Sequence, residues 1–286
     1  MYAHVNGVDI FFDIAGPGYT PDGPTMRAKP TLFVLHGGPG ADYTSFRPWL
    51  DPLAGDVQLV FLDHRGNGRS SRAALQTYSI EQMADDVDAL RHYLGLGPIA
   101  VLGHSFGGMV AQVLALRHPR SLSHLILSGT APSARFWDEA QAEAARVATG
   151  EQKEVLSSLF EGRITSQEEW DSWWVRCFPL YFRTADPAAM ADISGRTIGA
   201  FEVGSYMMAH EIPHYDVRSE LATITVPTLV VVGRHDWVTP VSQSAQIAES
   251  IPGSRLVVLE GSGHMGYVEE QQAYLEAVRG FMTGRP

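Results

Sequence analysis

Short apolar runs that do not alternate with polar residues recur along this chain, and they restrict its fold more than any other feature. Strands of this kind are buried on both faces, which is typical of a parallel sheet covered by helices on each side. The sequence therefore predicts an α/β protein with a mainly parallel sheet. The runs span residues 31–35, 59–62, 99–102, 125–127, 228–232 and 256–259.

Amphipathic helical patterns separate several of these runs. Ile80, Met83 and Val87 fall on one face of a predicted helix over residues 80–94, and Asp85 lies off that face. An order of strand, helix and strand at this spacing indicates right-handed crossovers between parallel neighbours. We therefore expect helices on both faces of the sheet.

The first thirty residues show a different pattern. Asn6-Gly7 lies between two β-prone runs, and this dipeptide is the strongest short-range signal for a hairpin. The chain is thus predicted to open with antiparallel strands. Residues 16–30 are rich in proline and glycine, and we predict a loop there.

The regular pattern stops between residues 132 and 222, where helical periodicity replaces the buried strands. A helical insertion that returns to the sheet at residue 228 accounts for this change. Because ligands of open α/β sheets bind at the carboxyl ends of the strands, such an insertion is expected to cover that edge as a lid. We predict a core of residues 1–131 and 223–286 with a lid of residues 132–222. Four tryptophans lie in the lid: Trp137, Trp170, Trp173 and Trp174.

Composition narrows the classes of function. The 286 residues are 45% hydrophobic, enough to bury one large core with an insertion. The net charge of −11 argues against nucleic-acid binding, since an acidic surface repels phosphate. The single cysteine, Cys177, forms no internal disulfide, and no stretch has the length of a membrane span or the pattern of a signal peptide. We expect a soluble, cytoplasmic protein without a membrane partner.

Gly103-His104-Ser105-Phe106-Gly107 lies between a predicted strand and a predicted helix. A serine on such a tight turn holds its hydroxyl above the edge of the sheet, and small neighbours allow the helix and the strand to approach closely. Ser105 is therefore a candidate nucleophile. The alternative interpretation is a glycine-rich turn that only starts a helix.

A serine nucleophile needs a base, and the base needs an acid that orients it. His264 follows the last predicted strand, and Asp236 follows the strand before it. Both side chains are thus expected at the same sheet edge as Ser105. The chain order of serine, aspartate and histidine is the order in which this type of fold supplies its catalytic triad.

Backbone N–H groups near the serine would stabilise the oxyanion of an acyl transfer. We predict that Phe106 supplies one of them and that Gly38, in the glycine-rich loop of residues 36–40, supplies the other. The same loop could instead bind a phosphate. No Gly-Lys-Ser/Thr follows it, however, and metal-ligand patterns such as His-Glu-x-x-His do not occur, so neither nucleotide nor metal is expected.

Taken together, the motifs resemble the α/β-hydrolase superfamily, and the first two resemble its proline iminopeptidase branch. The resemblance implies an eight-stranded sheet, a helical lid and hydrolysis through an acyl-enzyme without metal or organic cofactor. It also implies the release of proline or another small residue from the N-terminus of a short peptide. The motifs are His36-Gly37-Gly38-Pro39-Gly40, Asp63-His64-Arg65-Gly66-Asn67-Gly68-Arg69-Ser70, Gly103-His104-Ser105-Phe106-Gly107-Gly108, Gly233-Arg234-His235-Asp236 and Gly263-His264.

Iminopeptidases of this type bind the free amino group of the substrate with acidic side chains. The resemblance implies that Glu202 in the lid does so here, with Glu211 as the alternative. Trp237 stands directly after Asp236, where related enzymes have a second acid, and we expect it in the substrate pocket.

Two further functions remain open at this stage. The tryptophan-rich lid and Trp237 fit a carboxylesterase or lactonase that acts on a small molecule with the same triad. A ligand-binding protein that has lost the chemistry is the third possibility, although each position of the triad is filled.

Overall fold

A central sheet organises the protein. The computed structural model describes residues 1–184 and 186–284, apart from the side chains of residues 159 and 160. The strands are β1 Tyr2–Val5, β2 Val8–Ala15, β3 Tyr19–Asp22, β4 Thr25–Ala28, β5 Thr31–Leu35, β6 Gln58–Leu62, β7 Ile99–His104, β8 Leu122–Ser128, β9 Thr228–Gly233 and β10 Arg255–Leu259. Eight of them form one sheet in the order β1-β2-β6-β5-β7-β8-β9-β10.

The pairing within this sheet confirms the predicted topology. β1 pairs with β2 and β2 with β6 in antiparallel fashion, whereas the neighbours from β6 to β10 are all parallel. Each of the apolar runs found in the sequence lies in one of the parallel strands. The α/β-hydrolase fold predicted from the motifs is thereby confirmed.

Helices cover both faces of the sheet. On β5, Phe33 and Leu35 pack into one hydrophobic cluster while Leu32 and Val34 pack into another, and all four side chains are fully buried. Because both faces of β5 are buried, its apolar residues do not alternate with polar ones. Within the described residues, no helix is both long and apolar enough to cross a bilayer. The helices are α1 Ile80–Tyr93, α2 Phe106–Arg117, α3 Phe136–Val147, α4 Gly150–Phe160, α5 Gln167–Cys177, α6 Pro187–Arg196, α7 Phe201–His210, α8 Val241–Ser250, α9 Gly266–Glu269 and α10 Gln271–Thr283.

The prediction of a loop over residues 16–30 was wrong, because β3 and β4 form a two-stranded hairpin there. Gly23, with φ of +58°, supplies the turn, and the Thr25 hydroxyl donates a hydrogen bond to the Asp22 carbonyl oxygen at 2.9 Å. The glycine and proline that indicated a loop thus form the tight turn of a hairpin. Pro21 is tolerated because this small, exposed hairpin stands outside the main sheet.

The segment between β8 and β9 contains the helices α3 to α7. Its two ends are joined, since Val217 N–H donates to the Pro132 carbonyl oxygen at 3.0 Å and Ala134 N–H to that of Tyr215 at 2.7 Å. The expected boundaries at residues 132 and 222 lie close to this junction, and residue 185 within the segment lies outside the described residues. The division into core and lid stays a prediction.

A buried ion pair fixes the loop after β6 to α1. The Arg65 guanidinium contacts both carboxylate oxygens of Asp86 at 2.6 Å, and these side chains are only 3% and 2% exposed. Asn6 donates a further hydrogen bond to Asp86 at 3.0 Å. The pair therefore connects the N-terminal hairpin, the loop and the helix.

Replacing one partner of such a pair leaves the other charge buried and unpaired. Asp86→Ala is expected to lower the free energy of unfolding by about 3–5 kcal/mol. Asp85→Ala is the matched control, because Asp85 is the preceding residue on α1 but pairs with Arg117 at the surface, where about 1 kcal/mol or less is expected. Urea denaturation of both variants measures the difference, and equal losses would contradict the assignment.

Candidate active site

Ser105 occupies the turn between β7 and α2 with an unusual backbone conformation. Its φ of +55° and ψ of −122° are rare for a residue with a side chain and indicate local strain. The turn is held by a hydrogen bond from Ser105 N–H to the Ser128 carbonyl oxygen at 2.9 Å and by one from the Thr130 hydroxyl to the Ser105 carbonyl oxygen at 2.8 Å. The predicted strand-turn-helix setting is thus present.

The glycines on either side of Ser105 are required by close approach of the backbone. A Cβ atom on Gly103 would overlap with the Gly107 carbonyl oxygen, and one on Gly107 would overlap with that of Leu35. The helix therefore crosses directly over the ends of β5 and β7. This packing agrees with the reason for small neighbours inferred from the sequence.

His264 and Asp236 meet beside this turn. The His264 Nδ1 atom lies 2.7 Å from Asp236 Oδ2, and both residues are 4% exposed. Asp236 Oδ1 also accepts the N–H groups of Val238 and Thr239, each at 2.9 Å, so the carboxylate acts as an acceptor throughout. His264 consequently carries its proton on Nδ1, which leaves Nε2 able to take up another proton.

Ser105 and His264 line the same cavity. Within the part of the chain that the structure describes, the Ser105 hydroxyl makes no hydrogen bond, to His264 or to any other residue. A hydrogen bond between a serine and its base is often long or poorly aligned without substrate and tightens in the complex. The arrangement brings the three predicted residues to one edge of the sheet and leaves the hydroxyl available.

The backbone amides of Gly38 and Phe106 have no acceptor among the described residues, and both residues line the cavity beside Ser105. Gly38 has a φ of +124°, which favours glycine. Gly37 is close to the serine, because a Cβ atom there would lie 3.1 Å from Ser105 Cβ. Amides without an acceptor can bind a developing negative charge, and the role of Gly38 and Phe106 as its donors stays a prediction.

His36 sets the direction of the Gly38 amide. His36 Nε2 accepts the His64 N–H at 3.1 Å, so Nδ1 carries the proton and donates to the Gly37 carbonyl oxygen at 2.7 Å. In a trans peptide the N–H points opposite to the carbonyl oxygen, so the Gly38 N–H points away from His36. Asn67 holds the end of the same loop, because its Oδ1 accepts the Gly40 N–H at 2.8 Å.

The cavity has a volume of about 370 Å³ and is mostly apolar. Of the described residues that line it, Asp171 is the only acidic one, and it lies exposed on α5. Trp237 lines the cavity as expected, with its indole N–H donated to the Leu180 carbonyl oxygen at 2.8 Å. Ten of the described lining residues are phenylalanine, tyrosine or tryptophan: Phe106, Phe136, Trp137, Trp170, Trp173, Trp174, Phe178, Tyr181, Trp237 and Tyr267.

The structure does not bring the two expected substrate-binding glutamates into this cavity. Glu202 is exposed on α7, and neither it nor Glu211 is among the residues that line the wall. Burial raises the pKa of Glu211, and the nearby carboxylate of Glu81 raises it further. Glu211 thus faces α1 instead of the serine. The spacing along the sequence could not reveal this, because it gives no direction for a side chain in the variable segment between β8 and β9.

Several residues of the site were missed in the sequence. His36 and Asn67 belong to the quoted motifs, but only the structure shows that they hold the loop of Gly38. Asp171 and Tyr181 lie in the variable segment and carry no motif. These two residues join the site through contacts between distant parts of the chain. No local sequence pattern marks such contacts.

Comparison with known proteins agrees with this fold. The sequence profile of the α/β hydrolase fold matches residues 30–164 and 166–271. The chain therefore belongs to the α/β-hydrolase family. The resemblance to the proline iminopeptidase branch is confirmed as well, because a proline iminopeptidase, PfmaB of Pestalotiopsis fici, is 30% identical over 97% of both chains.

Relatives with other activities are also similar to this chain. A putative carbamate hydrolase, RutD of Pseudomonas savastanoi, is 28% identical over 91% of this chain and 96% of its own. The crystal structure of the enol-lactonase from Burkholderia xenovorans superposes with a TM-score of 0.77, covering 99% of this chain and 100% of the lactonase at 25% identity. Hydrolase chemistry is common to these proteins, whereas the substrate differs among them.

The strain at Ser105 leads to a prediction about stability. Glycine adopts positive φ without the clash of a side chain, so Ser105→Gly is expected to have a free energy of unfolding about 1 kcal/mol higher than Ser105→Ala. Ser123 lies on β8 and does not have a positive φ. There Ser123→Gly should be less stable than Ser123→Ala, since glycine weakens a strand. Thermal denaturation of the four variants checks the two orders. The same order at both sites would argue against strain.

Proposed function

We propose that this protein is a serine hydrolase that forms an acyl-enzyme with uncharged carboxylic esters, lactones included. The cavity beside Ser105 carries the proposal, because aromatic rings line it and its one acidic residue among those described, Asp171, is exposed. Among the described lining residues, an ammonium group moved from water into such a wall would find no buried carboxylate to pair with, which is unfavourable. An uncharged acyl group is stabilised there by burial of its apolar surface.

In the proposed mechanism His264 Nε2 removes the proton of the Ser105 hydroxyl as the oxygen attacks the carbonyl carbon. Asp236 holds the proton that His264 already carries on Nδ1, and its charge stabilises the imidazolium that forms. The amides of Gly38 and Phe106 bind the oxyanion. His264 then protonates the leaving oxygen as its bond to the carbonyl carbon breaks, which leaves the acyl group on Ser105. A water molecule that gives its proton to His264 attacks this acyl group, and the Ser105 oxygen takes the proton back as the acid is released. These steps use no metal or organic cofactor.

Other nucleophiles near the site are less suitable. Cys177 on α5 is fully buried, and burial raises the pKa of its thiol to about 12. The thiolate is the reactive form of cysteine, so Cys177 remains inert at neutral pH. His104 precedes the serine, and burial lowers its pKa well below the ordinary value, with the charge of His264 acting in the same direction. It therefore stays neutral and does not compete with His264 for Asp236.

A proline iminopeptidase is the second candidate function. It is favoured by the motif of residues 36–40 and by the relative that is 30% identical. In this case Asp171, in the lid of residues 132–222, would be the acid that meets the amino group of a short peptide at the cavity mouth. Glu202 and Glu211 would not contact the amino group, because neither is among the residues that line the cavity.

A comparison of three substrates separates the two functions. We expect p-nitrophenyl butyrate to be hydrolysed and L-proline β-naphthylamide to react no faster than N-acetyl-L-proline β-naphthylamide, because the free amine has no buried carboxylate partner among the described lining residues. N-acetyl-L-proline β-naphthylamide is the matched substrate without the amine. Ser105→Ala and His264→Ala are the inactive controls, and each should lower kcat by about 10⁴-fold or more.

Two results would reject the ester hydrolase. One is faster turnover of the prolyl amide than of the ester, with loss of that turnover on N-acetylation, which would establish the iminopeptidase. The other is full ester turnover by Ser105→Ala, which would remove the proposed nucleophile.

A further inference from the structure

Glu269, the last residue of α9, contacts two segments that are distant along the chain. Its Oε2 accepts the Gly263 N–H at 2.7 Å, and its Oε1 accepts the Thr184 N–H at 2.9 Å. Gly263 belongs to the loop of residues 261–265, which carries His264. Thr184 belongs to the segment of residues 181–184, which lies in the predicted lid. One carboxylate thus joins the His264 loop to the lid.

The same two segments are in contact at His264 itself. The Tyr181 carbonyl oxygen accepts the His264 N–H at 2.7 Å, and the Tyr181 ring stands edge-on to the imidazole with centroids 5.3 Å apart. The backbones approach so closely that a Cβ atom on Gly263 would lie 2.7 Å from the Tyr181 carbonyl oxygen. The lid segment is therefore the surface on which the His264 loop rests.

The neighbouring residue Glu270 holds the loop in a different way. Its Oε2 accepts the Gly261 N–H at 2.8 Å and the Ser262 hydroxyl at 2.5 Å. Both partners belong to the His264 loop, and among the described residues Glu270 makes no hydrogen bond to the lid segment. The two adjacent carboxylates therefore have different partners. Glu270 binds the His264 loop alone, whereas Glu269 binds both the loop and the lid segment.

We propose that Glu269 is a positioning residue that makes the His264 loop and the lid segment of residues 181–184 move as one unit. Through Glu269, docking of the lid segment places His264 for proton transfer from Ser105. This inference rests on the proposed function for its effect on the rate. The coupling itself does not depend on that function, because it is argued from the hydrogen bonds of Glu269 to both segments.

The contacts of Glu269 require a carboxylate. Each of its oxygens accepts a hydrogen bond from a backbone N–H, and a glutamine offers one oxygen and one NH₂ group. In Glu269→Gln the NH₂ group must face either Thr184 or Gly263, where it meets a donor. An unsatisfied, partly buried N–H is costly, so the connection on that side is expected to open.

The test compares three isosteric variants in two measurements. Glu269→Gln breaks the connection, Glu270→Gln weakens only the loop, and Glu260→Gln is the surface control, since Glu260 pairs with the exposed Arg234 at 2.6 Å. The first measurement is kcat and KM for p-nitrophenyl butyrate, with active enzyme counted by fluorophosphonate titration. The second is amide hydrogen exchange in peptides that cover residues 178–184 and 261–265.

For Glu269→Gln we expect kcat to fall by about 10- to 100-fold with KM within about twofold of the wild-type value, because a displaced base slows proton transfer but not binding. Exchange should become roughly tenfold faster in both peptides. Glu270→Gln should raise exchange in residues 261–265 only, and Glu260→Gln should change neither measurement. Thr184→Pro, which removes only the lid donor, should lower kcat in the same direction.

Faster exchange confined to residues 261–265 in Glu269→Gln would overturn the proposal, as would a wild-type kcat in both Glu269→Gln and Thr184→Pro. Should Glu269→Gln fail to fold, as judged by circular dichroism, Thr184→Pro decides by the same two measurements. A wild-type protein that hydrolyses none of the substrates would reject the proposed function, while the exchange pattern would still decide the coupling.

Discussion

The close approach of β7, α2 and the end of β5 is the constraint on which the site depends. No side chain fits at Gly103 or Gly107, because a Cβ atom there would overlap with backbone oxygen atoms. The helix can therefore start directly above the sheet, with Ser105 in a strained conformation and two free amides beside it. The positions of Asp236 and His264 follow from the parallel order of the sheet, which brings the carboxyl ends of β9 and β10 to the same edge.

The surroundings of the serine come from both parts of the chain. The ends of the parallel strands supply the turn, the loop of Gly38 and the pair of Asp236 and His264, while the segment between β8 and β9 supplies most of the aromatic lining residues. The segment also reaches the loop of Gly38 directly, since Ala200 N–H donates to the Gly40 carbonyl oxygen at 2.9 Å. The apolar wall and the contacts of this segment with the loops of Gly38 and His264 support the proposed hydrolysis of an uncharged substrate.

The sequence predicted the parts of the structure that depend on local pattern. The buried strands, the turn at Ser105 and the strand ends at Asp236 and His264 each carry a signal within a few residues. The hairpin of β3 and β4 was missed because its turn residues are also those of a loop. The places of Glu202 and Glu211, and the contacts of Glu269, depend on packing between distant segments, which one sequence does not contain.

Mapping the acyl group during turnover tests the central claim most directly. The protein would be mixed with excess p-nitrophenyl butyrate, quenched in acid within milliseconds, digested and examined by mass spectrometry. The account predicts one butyryl group on the peptide that contains Ser105, and its disappearance as the substrate is exhausted. A butyryl group on another residue, or turnover with no covalent intermediate at any quench time, would contradict it.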